Sequence, residues 1–254
     1  MRTLSSVAVF VLLCVIASPA LSVTRYITDD GMGDYPTIQA AINASSSGDT
    51  IILADGTFSG AGNWDLDFGG RNIVVKSENG SLLCVIDCLD GASGDHRGFH
   101  FHSGEDSTAV VDGITIADGY SSTAHGGGIL IENGSAPTIK RCHIQDCRAV
   151  YTSGATGYGA GIAILNCSPR IIDNNIDSNS GTDGAGIAVL GGSPFIAGND
   201  LYSNSASNAA GGILANDATP VIVNNWFDSN SGGGLVLQNY SVASNDAVVH
   251  NNLF

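Results

Sequence analysis

The sequence predicts an all-β chain wound as a parallel solenoid, on three observations. One degenerate phrase recurs: copies begin at Ile129, Ile162, Ile187 and Ile213, and a fifth begins at Leu235 and reaches Phe254. Internal repetition with a period of roughly 20–50 residues is the mark of a solenoid. Offsets inside each copy are tighter than the spacing between copies. After Pro137, Pro169, Pro194 and Pro220 the same two apolar positions follow, giving Ile139 with Ile144, Ile171 with Ile176, Ile196 with Leu201 and Ile222 with Phe227. Finally, Ile162, Ala163 and Ile164, and likewise Ile187, Ala188 and Val189, alternate as strand residues with one inward face do. Such strands are too short to bury a core alone, but coils stacked about 4.8 Å apart close one between parallel sheets.

Taken in chain order, residues 1–22 read as a secretory signal peptide. Arg2 supplies the positive charge, residues 7–17 the apolar stretch, and Ala20, Leu21 and Ser22 the approach to a cut near Val23. That apolar stretch is short for a membrane span, which needs about 20 residues, and no later segment is long enough either. The expectation is therefore an exported, secreted or cell-surface protein without a transmembrane segment in its mature part. Pro36 suits a helix start. Ile38, Ala41 and Ile42 make an apolar face that would plug the open end of a solenoid.

Corners are set by small polar residues. Asn174, Asn199, Asn225 and Asn252 share one repeat position; Asn179, Asn204 and Asn230 share another. Asn tolerates left-handed backbone and can bond along a ladder to identical neighbours. Cys142 and Cys147 fall in these two columns one copy earlier. Removal of Cys14 with the signal leaves five cysteines, an odd number whose spacings fit structural corners better than a zinc site. The last copy stops inside its unit at Phe254. Because solenoids need polar caps, the expectation is a longer protein, with a further C-terminal part beyond this point.

These repeats, with the opening Asp30, Asp34, Pro36, Ile38, Ala41, Ile42, Asp49, Ile51, Leu53, Asp55 and Phe58, resemble the right-handed parallel β-helix proteins of the pectin-lyase-like superfamily. The resemblance covers nearly all of the mature chain. It implies a right-handed parallel β-helix with a short N-terminal capping helix. The expected organisation is a signal peptide at 1–22 and one β-helix domain at 23–254, with cap and first coil at 23–58 and the clearest repeats at 126–254. One scaffold hosts many activities. Family members that act on pectin carry recognisable sets, and none transfers here. His125 with its following glycines and Arg170 with Ile171 miss the hydrolase pattern, the calcium-binding Asp cluster of the lyases is not matched, and Gln145 with Asp146 is only an echo of the methylesterases.

Composition narrows the partners. Nine Lys and Arg stand against 24 Asp and Glu, a formal net charge of −15. Such a surface repels nucleic acid and anionic lipid, and disfavours a polyanionic substrate unless a basic patch or bridging Ca²⁺ intervenes. No motif implies a cofactor. The alternative is Ca²⁺ or another divalent ion, to which an acidic column of Asp146, Asp177 and Asp228 would offer oxygen ligands.

Candidate chemistry comes from the repeat register. Aligning 98–102 with 128–132 turns Phe99 and Phe101 inward and leaves His100 and His102 on the outer face, with Glu132 beside His102. Aligning 72–76 as the preceding coil puts Lys76 on the other side. His125 enters the next coil, and Glu105 and Asp106 follow His102. Two imidazoles and a carboxylate could hold a metal or work as an acid–base pair; the plain alternative is a solvated strand face. A second column stacks Arg141 over Asp173, an ion pair or a catalytic base with its partner. A third, Leu130, Ala163, Ala188, Leu214 and Val236, with Leu165 and Leu190 beside it, is apolar and outward. It predicts either cover, from the 148–158 loop or a further segment, or a ligand groove. Trp64, Tyr120, Tyr151 and Tyr158 are the rings available for stacking on sugars. The functional expectation is a glycan-binding, display or adhesion scaffold. The alternatives are a polysaccharide-degrading enzyme, lyase-like or hydrolytic, with its site near His100, His102 and Glu132, and a purely structural stalk.

Overall fold

The computed structural model describes residues 21–122, 125–150, 157–240 and 246–254. The signal-peptide reading, apart from Leu21 and Ser22, lies outside them, as does Tyr151. The described chain winds into a parallel β-helix whose coils pass through the same sequence of walls. Among the described residues the first wall has six strands, from Phe99–Phe101 through Ile129–Ile131, Ile162–Leu165, Ile187–Leu190 and Ile213–Asn216 to Leu235–Gln238. The second has nine, from Thr24–Ile27 to Val248–His250, the third seven, from Gly56–Ser59 to Trp226–Asp228, and a short fourth has four. All named strand pairs are parallel, with one register shift in the fourth wall between Gly181 and Asp183; in the first wall Ile129 faces Ile162, then Ile187, then Ile213.

One inward face from each wall builds one core. Ile162, Ile164, Ile171, Ile176, Ile187, Val189 and Ile196 are fully buried, as the alternation predicts. The helix Ile38–Asn43 adds Ile38, Ala41 and Ile42 to that core. Its N-cap is Thr37, whose hydroxyl accepts from the Ala40 N–H at 3.2 Å. Pro36 therefore stands one residue before the cap, not at the first helical position.

Two corners bend the chain by the same device. A residue with left-handed backbone is followed by one that faces the core. At the first corner the left-handed residues are Gly113, Arg141, Asp173, Gly198, Asn224 and Asn251; at the second they are Asp118, Asp146, Ser178, Ser203 and Ser229. The ladder asparagines are thus the residues after the bend. Asn174 donates from its N–H and Nδ2 to Asn199 Oδ1 at 3.0 and 2.9 Å, and the pattern repeats from Asn199 to Asn225 and from Asn225 to Asn252. Cys142 heads this column, its N–H donating to Asn174 Oδ1 at 2.9 Å. A second ladder runs through Asn179, Asn204 and Asn230, headed by Cys147. The five described cysteines are buried and unpaired. Burial pushes the thiols of Cys84, Cys142 and Cys147 up to about 12, so they pack as small apolar groups and not as nucleophiles.

The outward apolar column of the first wall is covered. Leu130, Ala163, Ala188 and Leu214 are buried although they face away from the core. At Gly126, Gly159 and Gly184, all at positive φ, the chain entering each coil doubles back over this face. A Cβ at Gly159 would sit 2.8 Å from the Ala163 Cα, and one at Gly184 would sit 2.9 Å from the Leu214 Cβ. Only glycine permits so close an approach. Over these coils the ligand-groove reading is therefore corrected, because the chain's own turns fill the space; Val236, Leu165 and Leu190 are half-buried.

Candidate functional site

The N-terminal edge of the first wall is different in kind. Its outward positions carry imidazoles where later coils carry Leu130, Ala163 and Ala188. The segment 64–67 runs alongside as a further edge: Leu66 bridges to Phe99, and its carbonyl accepts from the His100 N–H at 2.9 Å. Leu66 and Phe68 point into the core, which leaves Asp65 and Asp67 outside.

Three histidine–carboxylate pairs result. His96 Nδ1 meets Asp65 at 2.6 Å, His100 Nε2 meets Glu132 at 2.9 Å, and His102 Nε2 meets Asp67 at 3.4 Å. The His100 and His102 rings lie 4.2 Å apart between centroids. Trp64 stacks on His96 at 4.2 Å with the rings nearly parallel, and His125 packs against Tyr158 at 5.2 Å. Arg97 ties the row to the next coil, donating to the His125 carbonyl at 3.0 Å.

Several sequence expectations are redistributed. Glu132 follows the strand that pairs with Phe99–Phe101, but its carboxylate reaches back to His100 and not to His102. Lys76 is not in this row: its strand, Val74–Ser77, belongs to the second wall, where Lys76 faces Asp112. Inward alternation reads alike on both walls, which is why 72–76 aligned equally well with the wrong one. Glu105 is buried, accepting from the Gly70 and Ser103 N–H groups and the Ser135 hydroxyl, and Asp106 bonds Asn72 and Thr108. Tyr120 lies in the fourth wall under the Arg148 guanidinium, 5.5 Å from its ring centroid. Of the described ring candidates, Trp64 and Tyr158 pack on histidine rings, whereas Tyr120 meets His96 through the backbone, its N–H donating to the His96 carbonyl at 2.7 Å.

The two other charged columns shift by one partner. Arg141 and Asp173 both occupy the left-handed corner, but Arg141 turns away to bond Asp112 through Nε at 2.9 Å and through Nη2. The Arg141–Asp173 ion pair is therefore replaced by Arg141 with Asp112. Asp177 pairs in register with Gln145, with Tyr202 between it and Asp228, while Asp146 is a corner residue. Among the described residues no three His, Cys, Asp or Glu side chains converge as a metal-holding group. His96, His100 and His102 are each engaged by their own carboxylate, and His125 Nδ1 accepts from the Tyr158 N–H at 3.4 Å.

The residues missed by sequence reasoning are Asp65, Asp67, His96 and Arg97. The signal was present in the alternation of Asp65, Leu66, Asp67 and Phe68. An exposed aromatic pair on the third wall was also missed: Tyr202 and Trp226 lie 6.4 Å apart, with Trp226 open to solvent.

The row's charge state follows from its surroundings. Burial, helped by Arg97 and His102, holds His100 below its usual 6.5 against the opposing bond to Glu132. Burial and Arg97 do the same to His125 against Glu132. The unfolded chain thus binds more protons than the folded one between the depressed values and 6.5. Stability from these groups is complete above about pH 6.5 and is lost as pH falls through the depressed values. Urea midpoints are expected to drop between about pH 7.5 and about pH 5.5, with a shallower drop in His100→Gln. A midpoint that holds or rises on acidification would contradict this charge state.

With the coil register and its outer face described, the family is decided by the match to the right-handed β-helix region over residues 40–201 and 155–254. The chain belongs to the right-handed β-helix family. It superposes on Escherichia coli YbhC with a TM-score of 0.57 at 11% identity, over 91% of this chain and 70% of YbhC. It superposes on pectate lyase Pel9A with a TM-score of 0.53 at 19% identity, over 91% of this chain but only 57% of the lyase. At such identities these likenesses concern the β-helix fold alone. No curated protein matches the chain. Among the described residues of this β-helix protein, no helix is long and apolar enough to cross a membrane.

Proposed function

We propose that this β-helix protein is exported and binds glycan at the histidine row on its first coils. The observation that carries the reading is the Trp64 ring stacked on His96 beside three ordered imidazole–carboxylate pairs. A flat apolar ring next to fixed polar groups is how a protein surface holds a ring with an apolar face and a hydroxyl rim. Elsewhere the same outer face is apolar and covered, so the row is where the first wall offers hydrogen bonds. Pectate lyase Pel9A, a fold neighbour, acts on pectate by its name, which favours polysaccharide as the ligand class.

Export is supported by Arg2 and the apolar stretch at 7–17. The described fold also suits a cut before Val23: its backbone nitrogen already donates to Asp49 at 2.8 Å, and a freed ammonium would strengthen that bond. Intact mass of the secreted protein checks the cut.

Binding is tested by titrating the purified chain with a panel of soluble polysaccharides. At least one should bind, with affinity reduced about tenfold in Trp64→Ala, the loss of one stacking contact. Binding unchanged in that variant, or none across the panel, would return the chain to a structural role as a stalk or display scaffold.

A second reading is favoured by the His100–Glu132 pair. Glu132 accepting from Nε2–H would leave His100 Nδ1 as a neutral base, an arrangement suited to proton transfer. In that case the panel should also release unsaturated or reducing ends, and His100→Gln should abolish release while retaining binding.

A further inference from the structure

The two lysines of this acidic chain, Lys76 and Lys140, stand on either side of Asp112 in the second wall. With Arg141 they place three cations around one buried carboxylate, in a protein whose formal net charge is −15. Asp112 fixes them unequally. Lys140 Nζ lies 3.5 Å from it, and Arg141 commits Nε and Nη2 to it. The Arg141 side chain nevertheless remains 61% exposed, with its other Nη beyond the pair. Lys76 enters no ion pair among the described residues.

Lys76 and Arg141 border a groove of about 690 Å³ between the second-wall strands and the 79–83 turn. Lys76, Asp112 and Arg141 form one side; Leu82 and Leu83 form the other, 87% and 52% exposed. Glu78 sits among the lining residues as the single opposing charge besides Asp112. An unpaired ammonium and a pre-oriented guanidinium facing bare aliphatic side chains are complementary to one kind of ligand.

We infer that this groove binds an organic carboxylate whose body has an apolar face. The carboxylate bonds Lys76 and the free edge of Arg141, and the body lies on Leu82 and Leu83. Charge-assisted bonds of this kind are the strong ones, and Arg141 is positioned for them before the ligand arrives. The groove opens on the second wall, away from the histidine row on the first, so this inference stands whether or not that row binds glycan.

Calorimetric titration of the full mature chain tests it with four probes: a hexuronic acid oligosaccharide, its neutral hexose counterpart, octanoate and inorganic sulfate. At least one carboxylate should bind, the neutral sugar should not, and rising salt should weaken binding. Lys76→Gln, which breaks no ion pair, should reduce affinity about tenfold, as should Leu82→Ser, each roughly one strong contact. Octanoate binding without the uronate assigns an alkyl acid; the reverse assigns a sugar acid. Failure of both carboxylates to bind, sulfate binding as tightly as either, or unchanged affinity in Lys76→Gln would overturn the inference. Arg141→Gln is a poorer variant, because it leaves Asp112 buried without its main partner.

Discussion

Asn199→Ala is expected to destabilise the protein by about 3–6 kcal/mol, on the order of two or three buried polar groups orphaned at ~1–3 kcal/mol each. Asn199 is fully buried in the middle of its ladder. Its Oδ1 accepts from the N–H and Nδ2 of Asn174, and its Nδ2 donates to Asn225 Oδ1 and to the carbonyls of Ile171 and Ala197. Alanine removes the acceptor from one coil and the donor from another, and water cannot reach either. Asn252→Ala provides the control. Asn252 makes all of these contacts except the onward bond to a following Asn, bonding Asn225 and the Ile222 and His250 carbonyls at the last described coil, and it is only half-buried. Denaturant unfolding should show a clearly smaller loss there. Equal losses at both positions would mean that the ladder contributes through strand spacing and not through sheltered hydrogen bonds.

Ile164→Ala is expected to cost about 2–5 kcal/mol, the range for truncating a large buried aliphatic side chain. Ile164 is fully buried, with Ile131 before it and Val189 after it in register. Both neighbours are β-branched and held by their own strands, so the space left by the missing atoms cannot close. Each coil of a solenoid rests on its neighbours, and a central defect therefore weakens two interfaces at once. The corresponding position in the last first-wall strand is Leu237, 42% exposed. Leu237→Ala should stay within roughly 0.5 kcal/mol of wild type, as exposed positions do. Similar midpoints for the two variants would show that the core is not continuous through Ile164.

The coil register of the second half was legible because one physical rule repeats there. An inward aliphatic at a fixed offset, a bend and a polar ladder residue together leave no freedom to slip: a one-residue shift would turn every buried side chain to solvent. Ile139 with Ile144 and Ile171 with Ile176 thus located two walls and the corner between them. In the first hundred residues the corner asparagines are absent and the connections vary. There the alternation of Val75 with Ile73 fixed a strand without fixing its wall, and Lys76 was assigned to the wrong face.

The candidate site was legible only in part, and the reason is reach. Strand alternation alone put His100 and His102 on the outer face. It did not choose their partners. Long outward side chains select among several neighbours on adjacent coils, so Glu132 took His100, Asp67 took His102, and Arg141 took Asp112 in place of Asp173. Cover over Leu130, Ala163, Ala188 and Leu214 was one of two expectations, but what supplies it was not legible, because it depends on backbone folding back at Gly126, Gly159 and Gly184.

The sequence by itself determined that this chain is a parallel β-helix, which inward residues stack, and where its two asparagine ladders run. Those features repeat with the backbone, and burial penalises every other register. Tertiary structure alone decided which carboxylate meets which histidine and which outer face is closed. It also decided where the chain's few cations gather. Those depend on distances between side chains that share no periodicity, and only the stacked coils bring them together.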